Sequence, residues 1–241
     1  MLNKSIVFVL WLTITQGCYA NAVEKNFFHF CEEFFEKHAS GELDDTRPVN
    51  EFRAEISEQL RRVDTHRELM GDSVAQLAFW INVHNLIVIR ELKQFQVHYN
   101  TLTEQKGFWK SHVITLFGED LSLRDIQQDK LMNVYHDPRI ILALYMGVKG
   151  SPLHKVPYVS PDKTDKDLEE IAKDALNNDY FIRVKEKSEL VVLSPLFRWH
   201  YPDHSSDELI RWINTYRDKE EQVPLDYEVK YYPFSWKLLE Q

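Results

Sequence analysis

Ala78-Phe79-Trp80-Ile81-Asn82-Val83-His84-Asn85-Leu86-Ile87-Val88-Ile89 is an apolar run with three polar side chains set into it, and its reading decides the fold. The pattern from about Ser73 to Phe95 predicts one long helix, so apolar on all sides of the quoted segment that it should be buried. On that helix Asn82 and Asn85 stand three residues apart and share a face. A buried amide left without a partner costs roughly 1–3 kcal/mol. Each Asn is therefore expected to hold a loop backbone or line a wet site, and bonding to backbone is the commoner outcome.

Working outward, Phe27 to Phe35 repeats aromatics at helical spacing, with Cys31 on the apolar side as a core thiol. Ala39 to Pro48 reads as a loop and about Val49 to Met70 as a polar helix. Beyond the long helix, Ser111 to Phe117 reads as a strand and Gly118-Glu119-Asp120 as its turn. Ser122 has the features of an N-cap, with Asp125 three residues on, for a helix to about Val134. Arg139 to Met146 is apolar and fits either a helix or a strand. Asp165 to Asn177 reads as a charged helix, and Tyr180 to Val184 and Glu189 to Leu193 as short strands. Ser194-Pro195 caps a helical turn, a helix covers about Ser206 to Tyr216, and Tyr227 to Tyr232 alternates like a strand. Helices cluster early and strands late. The expected fold is a single α+β domain, helices packed on a small, mainly antiparallel sheet.

The composition, 44% hydrophobic and 28% charged, suits a globular chain with a substantial core. Lys4 precedes an uncharged run from Ser5 to Thr15, with small residues at Gly17, Ala20 and Ala22, which reads as a cleaved export signal over residues 1–20. That run is shorter than the roughly 20 apolar residues of a membrane span. A second reading makes Cys18 a lipid-modified anchor. Residues 21–75 then form an N-terminal helical region and 76–241 the main domain. With Cys18 lost or lipidated, Cys31 stands alone, and an exported chain without disulfides fits a bacterial periplasm. The net charge of −9 repels phosphate backbones and argues against nucleic acid as a partner.

Five blocks occur in order: Ala78 to Asn85; Leu121-Ser122-Leu123-Arg124-Asp125-Ile126; Asp137-Pro138-Arg139-Ile140 through Pro152; Leu193-Ser194-Pro195-Leu196-Phe197-Arg198-Trp199; and Tyr232-Pro233-Phe234-Ser235-Trp236-Lys237-Leu238. Together they resemble the uncharacterised domain family DUF547. The resemblance implies a Cys-and-His constellation of cysteine-hydrolase type, on a papain- or transglutaminase-like fold. This chain departs from it. His84 stands where the family carries Tyr, Gln127 and Gln128 where it carries Glu-His, Ile141 where it carries His, Met146 and Ser151 where it carries Cys, and Ser235 where it carries Asp.

Two function classes follow. The first is a non-catalytic binding or scaffold protein, taking a peptide, a cell-envelope component or a protein partner through the family's cleft. The second is a hydrolase or transferase with a relocated site, using Ser151 with His154 or His84; a hydroxyl needs such a base to attack at neutral pH. Against the pair, Ser151-Pro152-Leu153-His154 also reads as a surface loop with Gly147 and Gly150 as turn residues. No two of the ten histidines share a zincin or zinc-finger spacing, and no cofactor is called for. His200 and His204 read as exposed loop residues. Trp80, Trp199 and Trp236 read first as large core residues, and Arg139, following Asp-Pro, as the bidentate partner of a carboxylate that organises its loop. Trp80, Asn82, Asn85, Arg139, Trp199 and Trp236 are the candidates for organising or lining a ligand cleft.

Overall fold

In the computed structural model, residues 26–37, 49–64, 73–95 and 102–239 are described. The export-signal reading, Cys18, the loop from Ala39 to Pro48 and the end of the second helix past Asp64 lie outside them.

Helix α3 (Ser73–Phe95) runs through the centre, and every residue from Leu77 to Leu92 is buried. Hydrocarbon on all faces forces other elements onto all faces. Helix α1 (residues 26–37) contributes Phe27, Phe28, Cys31, Phe34 and Phe35, all buried, and leaves Glu32 and Glu33 to solvent. Burial pushes the Cys31 thiol well up from its ordinary pKa, so it is a packing residue and not a nucleophile. Helix α2 (Val49–Asp64) lays Ile56, Leu60 and Val63 into the same core.

Helix α4 (Leu102–Lys110) precedes an antiparallel hairpin, β1 (His112–Leu116) with β2 (Glu119–Ser122). The sequence reading put the turn at Gly118-Glu119-Asp120. The turn is instead Phe117-Gly118, both with positive φ (54° and 75°), and Glu119 and Asp120 pair with Leu116 and Thr115. Two central residues of that hand match the twist of the flanking strands. A Phe at positive φ is strained. Its amide donates to the Asp64 carboxylate at the end of α2, and its ring packs 5.9 Å from Phe79 and 6.1 Å from Trp80.

The Ser122–Asp125 capping box is present in both directions and opens helix α5, built from Leu123–Asp125, a π-helical stretch Ile126–Met132, and Asn133–Tyr135. In the π stretch the Asn133 amide reaches back to the Gln128 carbonyl. The apolar segment after Asp137 is both of the alternatives in turn: a single helical turn, α6 (Ile140–Ala143), then extended chain at Leu144. Helix α7 (Thr164–Leu176) follows.

A second sheet holds β3 (Arg183–Lys185), β4 (Leu190–Leu193) and β5 (Glu228–Tyr231). β3 and β4 are antiparallel, but β4 and β5 are parallel. Parallel neighbours need a long crossover, supplied by α8 (Pro195–His200) and α9 (Ser206–Asn214). The α+β expectation holds, with two small sheets in place of one. After β5 the chain runs back along residues 147–151: Lys149 N–H donates to Lys237 O (2.7 Å), Gly150 N–H to Ser235 O (2.9 Å) and Leu239 N–H to Gly147 O (3.1 Å).

Two glycines separate backbone strain from packing, because a Cβ at either meets nothing within 4 Å. Gly107 lies in α4, so Gly107→Ala should raise stability by about 0.5–1 kcal/mol. Gly118 sits at positive φ, so Gly118→Ala should lower it by about 1–2 kcal/mol. Urea denaturation reads both, and shifts of the same sign would refute the backbone argument.

Candidate functional site

Both amides of α3 are fully buried, and each is bonded at both its nitrogen and its oxygen. Asn82 donates to Val159 O (2.7 Å) and accepts from Val159 N–H (3.1 Å), as a strand neighbour would. Asn85 donates to Ala143 O (3.0 Å) and Pro157 O (3.2 Å) and accepts from Tyr145 N–H (2.9 Å). The two side chains pin residues 143–145 and 157–159 to the helix, which places the intervening loop. They hold backbone and do not line a wet site.

His84, also fully buried, has both ring nitrogens engaged. Asn85 Oδ1, already an acceptor for Tyr145, lies 3.1 Å from Nδ1, so Nδ1 carries the proton. Nε2 is then the acceptor and takes a hydrogen bond from Gln127 Nε2 at 3.2 Å. Trp109 stacks on the ring at 6.1 Å. Burial pushes the imidazole down to about 4, against a smaller upward pull from Asn85. This is a neutral, packed histidine, with no nucleophile at either nitrogen.

Ser151 and His154 are not brought together in a hydrogen bond. Ser151 is buried, not part of a surface loop: its Oγ accepts from Val148 N–H (3.4 Å). His154 is exposed and sets its ring against Tyr180 at 4.9 Å. The loop is covered because the closing segment pairs with it, a contact that no local pattern announces. Other positions that the family resemblance assigns to chemistry are equally quiet. Ile141 and Met146 are core residues.

Trp80 is buried, meets Phe79 (5.2 Å) and Phe117 edge-on, and has the Lys130 ammonium 5.7 Å from its ring centre. Arg139 grips both carboxylate oxygens of Asp137 and reaches Asp165 Oδ1 (2.7 Å) at the start of α7. Those carboxylates, Asp137 first, raise its already high pKa further. It joins the loop before α6 to α7.

Trp199 is different. It is 45% exposed at the end of α8, so its reading as a core residue is corrected. Its ring meets Phe234 at 5.2 Å and lies nearly parallel to Trp236, 17° between planes and 6.3 Å between centroids; Phe234 and Trp236 are 4.7 Å apart. Phe234 and Trp236 are half-buried. Gly150 makes this cluster possible: a Cβ there would fall 2.7 Å from the Phe234 ring and 2.9 Å from Ser235 O. His200, read as an exposed loop residue, is half-buried and pushed down to about 4 by burial; His204 is exposed against Tyr201.

A cleft of about 420 Å³ opens between α1, residues 153–158 and α7, with Glu32, Glu36, Glu170 and Asp174 on its walls and Tyr158 among them. It contains none of His84, Ser151, Trp199 and Trp236.

Residues 70–175 match the family model described as "Protein of unknown function, DUF547". The chain carries a DUF547 domain. The DUF547 match takes in both stapling amides, His84, Arg139 and Ser151, whereas Trp199 and Trp236 lie beyond it. No curated protein and no solved structure matches the chain.

Removing the Asn82 amide strands the buried N–H and C=O of Val159, so Asn82→Ala should cost about 2–4 kcal/mol in chemical denaturation. A loss under 1 kcal/mol would refute the staple. The His84 shift gives a pH dependence. An unfolded imidazole takes its proton near pH 6.5 and the folded one only near 4. Below pH 6.5 the unfolded state therefore binds more protons and stability falls, by up to about 3 kcal/mol from this group as pH reaches 4. His84→Gln should remove that part of the slope, and an unchanged slope would contradict the neutral packed state.

Proposed function

We propose that this DUF547 chain is a non-catalytic binding protein of the bacterial cell envelope, with the Trp199–Phe234–Trp236 surface as its ligand face. The observation that carries the reading is the exposed Trp199 held nearly parallel to Trp236, whereas Trp80, Asn82, Asn85, His84, Arg139 and Ser151 are spent on structure. Large aromatic faces left open to water are concentrated at binding surfaces. A nucleophile, a base within reach and a group to orient the base are what hydrolysis needs. Ser151 is buried with its Oγ on a backbone amide, His154 is outside, and His84 is closed by Asn85 and Gln127. The envelope location rests on Lys4, the uncharged run from Ser5 to Thr15 and Ala20-Asn21-Ala22. Among the described residues no helix is long and apolar enough to cross a membrane.

The test is labelling of the exported protein with a fluorophosphonate serine probe, with N-terminal sequencing of the same sample. No labelling and a terminus at Asn21 or Val23 are expected. Labelling that disappears in Ser151→Ala would establish the hydrolase alternative in its place. An acylated terminus at Cys18 would make the protein a lipoprotein.

A further inference from the structure

Helix α8 meets the closing segment through two neighbouring residues. The Arg198 guanidinium sits 5.2 Å from the centre of the Tyr231 ring, and the next residue, Trp199, meets Phe234 and Trp236. Lys237 on the same segment is exposed like Arg198, and neither forms a salt bridge among the described residues. Of the nearby acids, Glu228 is paired with Lys230 at 3.0 Å, and Asp203 lies past the turn after α8. A chain of net charge −9 thus carries an exposed cation next in sequence to each of the two facing indoles, Arg198 beside Trp199 and Lys237 beside Trp236.

The backbone of the closing segment is largely committed. Lys237 O, Ser235 O and Leu239 N–H bond to residues 147–150, and Tyr232 N–H bonds to Leu193 O. A peptide adding as a strand finds those groups taken. The exposed ring of Trp199 and the exposed cations Arg198 and Lys237 remain. A flat ring with an apolar face suits stacking on indole, and a carboxylate suits the fork of an arginine. A phosphate chain has no flat apolar face to set on an indole. We infer that the Trp199 surface binds an acidic saccharide, a uronic-acid ring stacked on the Trp199 indole with its carboxylate on Arg198 and Lys237. This rests on the reading of that surface as the ligand face and adds the chemistry of the ligand.

The full chain is titrated, by tryptophan fluorescence and calorimetry, with oligogalacturonate, oligoguluronate and a glucuronate-containing oligosaccharide. A neutral oligogalactoside, polyglutamate and phosphatidylglycerol vesicles serve as the comparison probes. At least one acidic oligosaccharide should bind about tenfold tighter than the neutral one and weaken with salt. Trp199→Ala should lose about tenfold or more of that affinity, and Trp199→Tyr should keep most of it. Arg198→Gln should bring acidic and neutral sugars to similar affinity. Because Trp199 is exposed, circular dichroism of the variants should match wild type. Binding of polyglutamate or vesicles through Trp199, without the acidic sugars, would overturn the saccharide and leave the ligand face standing. Silence of every probe at Trp199 in a folded protein would overturn both.

Discussion

A helix buried on all sides in hydrocarbon has little to fix its rotation or its position along its own axis, because one apolar contact substitutes for another at small cost. In this protein the two amides of α3 remove that freedom. Asn82 pairs with both polar groups of Val159, and Asn85 holds Ala143, Tyr145 and Pro157 at once. Directional bonds in a dry core are costly to leave unmade, so a slip of one residue along α3 would strand several polar groups together. The segments so pinned carry the start of the covered loop at residues 147–151 and the chain leading into α7. The position of the closing segment therefore descends from these five hydrogen bonds.

The same helix accommodates polar side chains that would otherwise destabilise it. His84 is neutral and satisfied at both nitrogens, and its partner Gln127 stands in the π-helical stretch of α5. A π turn is a local departure often found where a side chain must be re-aimed. Arg90 and Glu91 form a 2.7 Å ion pair within α3, each under 10% exposed, and Arg90 also donates to Val113 O (2.6 Å) on β1. A buried pair of this kind contributes little net stability but makes any other arrangement of hairpin against helix expensive. The Arg90 bond to Val113 O is the part of this arrangement that another packing of hairpin against helix would lose.

What the sequence made legible follows from how local each cause is. The bounds of α3, its burial, the Ser122–Asp125 cap, the Ser194-Pro195 start of α8 and the Asp137–Arg139 grip all arise from residues within one or two helical turns. The bonding of Asn82 and Asn85 to backbone followed from burial alone. The parallel partnership of β4 with β5 did not, since nothing in Leu190 to Leu193 indicates which strand will arrive after two intervening helices. The turn starts one residue before, and ends two residues before, the stretch its sequence suggests, and its Phe117, at positive φ, bonds to Asp64, a partner far away in sequence. Ser151 was read as exposed for the same reason: its cover comes from residues near 238. Gln127 and Trp109 flank His84 through contacts that carry no sequence signature at all.

Trp199 shows where hydropathy and burial part company. A tryptophan in an apolar helix start is expected inside, and Leu196 and Phe197 on the same turn are inside. The helix is one and a half turns long, so it offers a single inward face, and Trp199 falls off it. The indole then rests on Phe234 and Trp236 of the closing segment, and Gly150 leaves the room that Phe234 takes. An exposed indole that solvates poorly is tolerated at a cost, and here it is held nearly parallel to a second indole instead of being turned under the chain. That arrangement leaves an apolar face open to water while fixing its orientation, and a fixed, open face loses little entropy when a ring of matching shape settles on it.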